Sequence, residues 1–371
     1  MKICILSGEK SGDNYGALLS KNLRKLKKEV FIFGTGGDAM RNEGVDLIEG
    51  MPFGVMGFSG VIKKIIPYYL FLKKVIKRIK EEKPDLIIFI DNPAFNLRVA
   101  ERLKGEFKSY YYIPPKIWAY KKYNIKILKK YIDLVIPIFP FEIDIYEKEN
   151  IPYNYFGHPF VDLFKEDEID FLEIKGNQYL IGILPGSRIE EVKYNLPAIK
   201  KILENLSQKI EFTLLISASE KKIEKIIKNV FKKTKLKYLI MDDLYKLIKN
   251  SNIILAVSGT VNLEVAYLEK PMIIFYKTSF LNYYIAKLKV KLKAISPVNI
   301  ILERKVIPEY IQNFKIKDVS ENIMELLNKG LLYMKELNGY KKLKEIIDKK
   351  NVSENIANFI LKEIEIDKRV F

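Results

Sequence analysis

Short runs rich in Ile, Val and Phe alternate with longer Lys- and Leu-bearing stretches of helical period along most of this chain of 371 residues. That alternation constrains the fold more than any other feature. In the first half the strand-like runs lie near Lys2–Ser7, Val30–Gly34, Asp85–Asp91, Ser109–Ile113 and Leu134–Ile138. After the Gly157-His158-Pro159 turn and the acidic stretch Lys165–Glu173, the pattern restarts at Tyr179–Leu184, Glu211–Ile216, Lys237–Met241, Asn252–Ala256 and Pro271–Tyr276. Strands separated by helices pair in parallel, because each crossover returns the chain to the same end of the sheet. The spacing predicts an α/β chain of two tandem Rossmann-like, doubly wound parallel sheets. Its length agrees, since one hydrophobic core stops growing near 250 to 300 residues. The expected divisions are residues 1–165, residues 166–340 and a helical tail at 341–371, read as helical from Asn338 to Ile366 and able to cross back to the first domain.

Lys and Arg total 64 against 46 acidic residues, a net charge of +18 that suits nucleic acid, an anionic membrane or an anionic substrate. Only 8 of the 64 are Arg. Lys-heavy surfaces do not by themselves read phosphate, whereas the planar Arg fork does, so each Arg carries more weight. Nucleic-acid binding would need basic residues interleaved with aromatics on one face or a known module, and neither stands out. Cys4 is the single cysteine, so a disulfide within the chain is impossible and a reducing compartment is expected. The chain enters its first strand at once, leaving no room for a signal peptide, and no apolar stretch reaches the ~18 to 20 residues of a spanning helix. A cytoplasmic protein, at most peripheral on a membrane face, is expected.

Two turns in the second half draw attention. Leu184-Pro185-Gly186-Ser187-Arg188 and Ser258-Gly259-Thr260 each follow a strand-like run and open a helix-like one, where backbone N–H groups and the helix dipole gather a phosphate. Gly186, Ser187 and Arg188 supply turn amides and a guanidinium for a diphosphate. Glu264 lies one helical turn after Thr260, where a carboxylate can accept both ribose hydroxyls. Together they point to a nucleotide-sugar site, with surface charges and plain helix starts as the competing reading. Asp91 ends an apolar strand, and the carboxyl ends of parallel strands are where open sheets place ligands. It could equally cap the helix Ala94–Leu103. Residues 61–79, VIKKIIPYYLFLKKVIKRI, hold an uncharged stretch from Ile65 to Leu72 flanked by Lys and Arg. The segment reads either as a core helix kinked at Pro67 or as an apolar face, with Ile62, Ile65, Ile66, Tyr69 and Leu70, lying on an anionic membrane. No Cys/His cluster exists, and Asp242-Asp243 reads as a strand-end turn with a helix cap, so no metal site and no cofactor are expected.

A resemblance then becomes specific. Ser7-Gly8-Glu9-Lys10-Ser11-Gly12-Asp13, Gly34-Thr35-Gly36-Gly37, Val55-Met56-Gly57, Ile90-Asp91-Asn92-Pro93-Ala94-Phe95-Asn96 and Pro114-Pro115-Lys116-Ile117-Trp118-Ala119-Tyr120 stand in order. Phe139-Pro140-Phe141-Glu142, Gly157-His158-Pro159, Leu184–Arg188, Ser258–Glu264, Lys270-Pro271-Met272 and Pro297-Val298-Asn299 follow. In order and spacing these strings resemble the lipid-A-disaccharide synthase family, from about Ile3 to Gln312.

The resemblance implies a glycosyltransferase-B type fold with an interdomain cleft. It implies inverting transfer from UDP-2,3-diacylglucosamine to 2,3-diacylglucosamine 1-phosphate, yielding the β-1,6 disaccharide of lipid A and UDP at the inner face of the cytoplasmic membrane. It makes Gly8, Glu9, Ser11, Gly12 and Asp13 an acceptor-side loop and places Asn299 at the nucleotide-sugar site. Inverting transfer needs a group to take the proton of the attacking hydroxyl, worth ~10²- to 10⁴-fold in rate, and Asp91 is the first candidate. His158, the sole histidine, is ranked as a binding or orienting group with catalysis second. The family commonly carries a second Asp where this chain has Ala94, which leaves Asp91 to act alone. Another UDP-sugar enzyme on the same scaffold, an epimerase or a transferase with a soluble acceptor, is the alternative.

Overall fold

The computed structural model describes residues 1–50, 61–115, 117, 122–163, 178–218, 220–279 and 294–370. The Val55-Met56-Gly57 string, Trp118 and the acidic stretch at 165–173 lie outside the described residues, as do the side chains of Ile62 and Ile65. The chain forms two compact units, one of Met1–Phe164 with Ile347–Phe371 and one of Lys165–Ile346.

The first unit holds β1 (Lys2–Leu6), β2 (Phe31–Thr35), β3 (Asp46–Leu47), β4 (Leu86–Ile90), β5 (Ser109–Tyr112) and β6 (Leu134–Ile136). They form one sheet in the order β3-β2-β1-β4-β5-β6, with every registered pair parallel. Strands β4 and β5 are buried along their whole length, as expected of parallel strands covered on both faces. Gly34 in β2 has φ +152°, and a Cβ there would run into the Ile5 carbonyl oxygen, so only glycine fits this close approach.

Leu72, Val75 and Ile79 of the helix Val61–Glu82 join Phe89 and Phe95 in the core. Each such buried aliphatic or aromatic side chain contributes about 1.5 to 3 kcal/mol. The helix continues through Pro67 without ending there.

The tail is not one helix from Asn338 to Ile366. It divides into Leu331–Ile347 and Val352–Val370, with a break in which Asn351 adopts φ +57°. The break coincides with the return of the chain to the first unit. There Asp162 accepts the Val352 and Ser353 N–H groups at 3.1 and 2.6 Å and so caps the final helix. That helix packs on Lys10–Leu26, with Lys25–Glu354 and Lys27–Glu365 ion pairs at 3.2 and 3.1 Å, while Phe359 meets the rings of Tyr110 and Phe156.

The second unit repeats the topology. Its strands are β7 (Tyr179–Leu184), β8 (Phe212–Ser217), β9 (Lys237–Met241), β10 (Ile253–Val257), β11 (Met272–Tyr276) and β12 (Glu309–Ile311), in the order β12-β11-β10-β7-β8-β9. Read from its own first strand, this is the same doubly wound order as in the first unit. The helix Ile189–Leu206 lays Val192, Leu196, Ile199 and Leu203 into the core against Ile181 and Ile183 of β7. Asp243 caps Leu244–Asn250, accepting the Lys246 N–H at 2.9 Å, which gives the Asp242-Asp243 pair a structural use.

Candidate active site

In a doubly wound sheet the strand order reverses at one point, and the two chains leaving the sheet there diverge to open a crevice. In the first unit that point lies between β1 and β4, in the second between β7 and β10. The loops leaving these four strands begin at Ser7, Asp91, Pro185 and Ser258. Four of the sequence motifs therefore flank the two switch points.

After β1, Ser7 is pinned to β2: its N–H bonds to the Thr35 carbonyl at 2.9 Å and its carbonyl accepts the Thr35 hydroxyl at 2.8 Å. Gly8 is buried, and Glu9 is the half-buried N-cap residue of Lys10–Leu26. Ser11 and Gly12 fall in the first turn of that helix, and a Cβ on Gly12 would lie 2.5 Å from the Ser7 hydroxyl oxygen. Asp13 is buried and its carboxylate accepts the N–H groups of Gly37, Ala39 and Met40 at 2.7, 3.0 and 3.1 Å. It caps the short helix Asp38–Asn42, so its charge is spent on holding the loop after β2.

After β4, Asp91 and Asn92 are both left-handed, with φ +48° and +45°. Two such non-glycine residues in succession cost about 1 to 3 kcal/mol each and persist only when the surroundings impose them. The carbonyl of Asp91 accepts the Tyr111 hydroxyl at 2.7 Å and the Asn96 amide at 2.8 Å. The same Asn96 amide lies 3.2 Å from the carbonyls of Leu6 and Ile90, joining the ends of β1 and β4. Asn92 is the N-cap residue of the helix Pro93–Leu103, one position after Asp91. Tyr111 is buried, and its hydroxyl is pushed well above its ordinary range by desolvation and further by the charge of Asp91.

His158 is buried among the rings of Tyr15, Phe139 and Phe160, at centroid distances of 6.2, 5.4 and 4.8 Å. Burial pushes its pKa down to about 3. Nδ1 accepts the Phe160 N–H at 3.3 Å, which leaves the ring proton on Nε2. Nε2 is buried with no hydrogen-bond partner among the described residues.

In the second unit, Gly186 has φ +105°, and a Cβ there would stand 2.7 Å from the Glu191 carboxylate. Ser187 and Arg188 are exposed at the start of Ile189–Leu206, and Arg188 pairs with Glu191 at 3.2 Å. In the facing loop the Ser258 N–H bonds to the Phe275 carbonyl at 3.3 Å and the Gly259 N–H to the Asn262 side chain at 2.9 Å. Space beside Gly259 is open: a Cβ there would have nothing within 4 Å. Glu264, one turn on, is pushed up to about 7 by desolvation, opposed by a hydrogen bond from the Tyr245 hydroxyl.

Asn299 is fully engaged. Its amide donates to the Ile307 carbonyl and to Glu309 at 2.9 and 2.8 Å, and its oxygen accepts the Val306 and Ile307 N–H groups at 2.7 and 3.0 Å. It organises the backbone leading into β12.

Three contributors escaped the sequence reading. Asn195 and Gln312 grip the loop after β11, Asn195 pairing with the N–H and carbonyl of Lys277 and Gln312 with those of Thr278. Tyr245 touches Glu264. The one legible signal was Asn195, a polar residue inside the apolar stripe Val192, Leu196, Ile199.

The helix Val61–Glu82 has one buried face and one exposed apolar face. Phe71, Leu72, Val75 and Ile79 face the core, while Ile66, Tyr69 and Leu70 are 72%, 44% and 60% exposed. Lys73 and Arg102 stand 4.7 and 5.7 Å from the Tyr69 ring centroid, rimming the apolar face with cations. Among the described residues, no helix is long and apolar enough to cross a membrane.

The family model for lipid-A-disaccharide synthetase matches residues 3–363. The chain belongs to the lipid-A-disaccharide synthase family. Lipid-A-disaccharide synthase 1 of Legionella pneumophila (strain Lens) is 32% identical over 380 residues, covering 98% of this chain and 97% of the relative. Lipid-A-disaccharide synthase of Coxiella burnetii (strain CbuG_Q212) is 28% identical over 369 residues, covering 96% and 97%. Among solved structures, the S. aureus MnaA–UDP complex superposes with a TM-score of 0.66 at 16% identity, covering 98% of this chain and 97% of that one. MurG of Acinetobacter baumannii gives 0.56 at 12%, covering 97% and 99%. These likenesses show the glycosyltransferase-B type fold, and membership of the lipid-A-disaccharide synthase family makes the chain a UDP-sugar-dependent glycosyltransferase of lipid A biosynthesis.

Proposed function

We propose that the chain transfers 2,3-diacylglucosamine from UDP-2,3-diacylglucosamine to 2,3-diacylglucosamine 1-phosphate with inversion, and that Asp91 is the general base. The acceptor hydroxyl oxygen attacks the anomeric carbon, its proton passes to the Asp91 carboxylate, and the bond to the UDP oxygen breaks. The products are the β-1,6-linked disaccharide 1-phosphate and UDP. The observation that carries this reading is the place of Asp91: the first residue after β4 at the β1/β4 switch point, in a left-handed conformation its neighbours enforce. His158 serves this account as an orienting group beside Phe160, with catalysis as its second reading.

On the donor side, Arg188 and the first-turn N–H groups of the 18-residue helix Ile189–Leu206 receive the diphosphate and stabilise the charge that builds on the leaving group. Glu264 receives the ribose hydroxyls. Gly186, Ser187 and the Ser258–Thr260 loop, with its open space at Gly259, give the backbone its close approach. Asn299 acts at one remove, by shaping the loop before β12. On the acceptor side the Gly8–Gly12 turn lies across the switch point from Asp91, with Asp13 holding the adjacent loop.

Both substrates carry acyl chains, and Ile66, Tyr69 and Leu70 with their rim of Lys73 and Arg102 supply the apolar face and cations that would rest on the anionic inner leaflet of the cytoplasmic membrane. The test is product formation from the two diacylated substrates, beside the same assay with an unacylated acceptor. The account expects disaccharide 1-phosphate only from the acylated pair. Equal turnover of the unacylated acceptor, or epimerisation of the donor, would move the chain to another UDP-sugar reaction on this fold.

A further inference from the structure

The turn that carries Asp91 is held by two side chains that reach the same atom. Tyr111 sits in the middle of β5, fully buried, with its ring 5.7 Å from that of Phe89, and its hydroxyl donates to the Asp91 carbonyl oxygen at 2.7 Å. Asn96 sits in the first turn of the following helix, also fully buried, and its amide reaches the same oxygen at 2.8 Å. Its remaining capacity is shared between the Leu6 and Ile90 carbonyls, both at 3.2 Å, so one side chain ties the ends of β1 and β4 to the turn between them.

We propose that Tyr111 and Asn96 are positioning residues for Asp91: gripping its carbonyl from two rigid elements, they impose the left-handed turn that sets where its carboxylate meets the acceptor hydroxyl. The inference rests on Asp91 being the base. Three observations carry it. Asp91 and Asn92 are left-handed in succession, with φ +48° and +45°, a conformation that relaxes unless it is held. Both grips reach the carbonyl oxygen of residue 91, at 2.7 and 2.8 Å, and both come from a strand or a helix turn, which hold a geometry more closely than loops do. Burial, and after it the charge of Asp91, raises the Tyr111 hydroxyl well above its ordinary range, so the two groups lie within electrostatic reach of each other.

Tyr111→Phe is the direct test, because it keeps the buried ring and removes only the hydroxyl. The expected result is a kcat lower by about tenfold or more with UDP affinity within twofold of wild type and a melting temperature within a few degrees, since 1 Å of misplacement can cost about 10²-fold. The readout that separates positioning from simple scaffolding is a double-mutant cycle with Asp91→Asn. A hydroxyl that works through Asp91 has little left to lose once the carboxylate is gone, so Tyr111→Phe should cost less than twofold in that background.

A kcat within twofold of wild type in the single variant overturns the proposal. So does the full tenfold loss persisting on top of Asp91→Asn, or UDP affinity and melting temperature falling in step with kcat. Where Asp91→Asn turnover is below detection, the acid limb of kcat against pH decides: it moves in Tyr111→Phe if the turn positions the base, and an unmoved limb contradicts the idea. Wild-type turnover in Asp91→Asn itself is a different result. It removes the base assignment on which the proposal stands, whatever Tyr111→Phe does.

Discussion

The hydroxyl of Tyr245 donates to the carboxylate of Glu264 across two consecutive helices, Leu244–Asn250 and Val261–Tyr267, while the surrounding protein desolvates that carboxylate and pushes it up to about 7. At that value the carboxylate would be half protonated near neutral pH. Only the ionised form can accept two ribose hydroxyls without yielding a position to its own proton.

UDP binding should therefore strengthen as the pH rises through 7 and level off above it. The expected loss from pH 8 to pH 6 is about tenfold in Kd, one pKa unit being about 1.4 kcal/mol. Glu264→Gln should weaken UDP binding at pH 8 by about 1 to 3 kcal/mol and flatten the part of the pH dependence that the nucleotide's own phosphate does not supply. Calorimetry at several pH values measures both. An unchanged slope in Glu264→Gln assigns the titration elsewhere.

The exposed apolar face makes a separate prediction. Ile66→Ser combined with Leu70→Ser should release the protein from anionic vesicles in a sedimentation assay, each inserted aliphatic side chain being worth about 1.5 to 3 kcal/mol. The melting temperature should change little, because both side chains are exposed while Phe71, Leu72 and Val75 form the core side of the same helix. Unaltered vesicle binding in the double variant, with loss of binding in moderate salt, would leave the contact to the basic residues alone.

Glu336 is fully buried, accepts the Met272 N–H at 2.9 Å and the Tyr340 hydroxyl at 2.6 Å, and is raised to about 8 by desolvation, against those hydrogen bonds. Its folded value lies above the ordinary carboxylate range, so the stability it contributes is complete below about pH 4.5 and is lost as the pH rises through 8. Glu336→Gln keeps an acceptor for both donors and cannot ionise. It should unfold at higher temperature than wild type at pH 9, with a gain of roughly 1 to 3 kcal/mol, the cost of one poorly satisfied buried group. No gain at pH 9, or an equal shift at pH 5, contradicts this assignment.

Much of the architecture was legible because long apolar runs leave little choice. The strands from Tyr179 to Leu184 and from Lys237 to Met241 fall where the pattern places them. The edge strands Asp46–Leu47 and Glu309–Ile311 were not read: two or three residues carry no alternation, and the neighbouring strand's hydrogen bonds define them. The split of the tail at 348–351 was equally silent, since both halves read as helical and the cap at the new start comes from Asp162, far away in sequence. At the site, the loops were legible as types of residue at strand ends. Their internal wiring was not. Nothing in the sequence distinguishes an Asn that meets a ligand from Asn299, whose amide is wholly consumed within the fold, or shows that Asp13 is turned to the loop after β2. The grip of Tyr111 on Asp91 joins residues twenty positions apart and becomes visible only when β4 and β5 lie side by side.

The measurement that bears most directly on the central claim is the turnover of Asp91→Asn with both diacylated substrates, taken together with its UDP affinity. Removing the base while keeping the shape should lower kcat by about 10²- to 10⁴-fold, and the dissociation constant for UDP should stay within twofold of wild type because the proposed donor residues, Arg188 and Glu264, belong to the other unit. Turnover close to wild type, with UDP binding intact, would contradict the assignment of Asp91 and return the proton to another group.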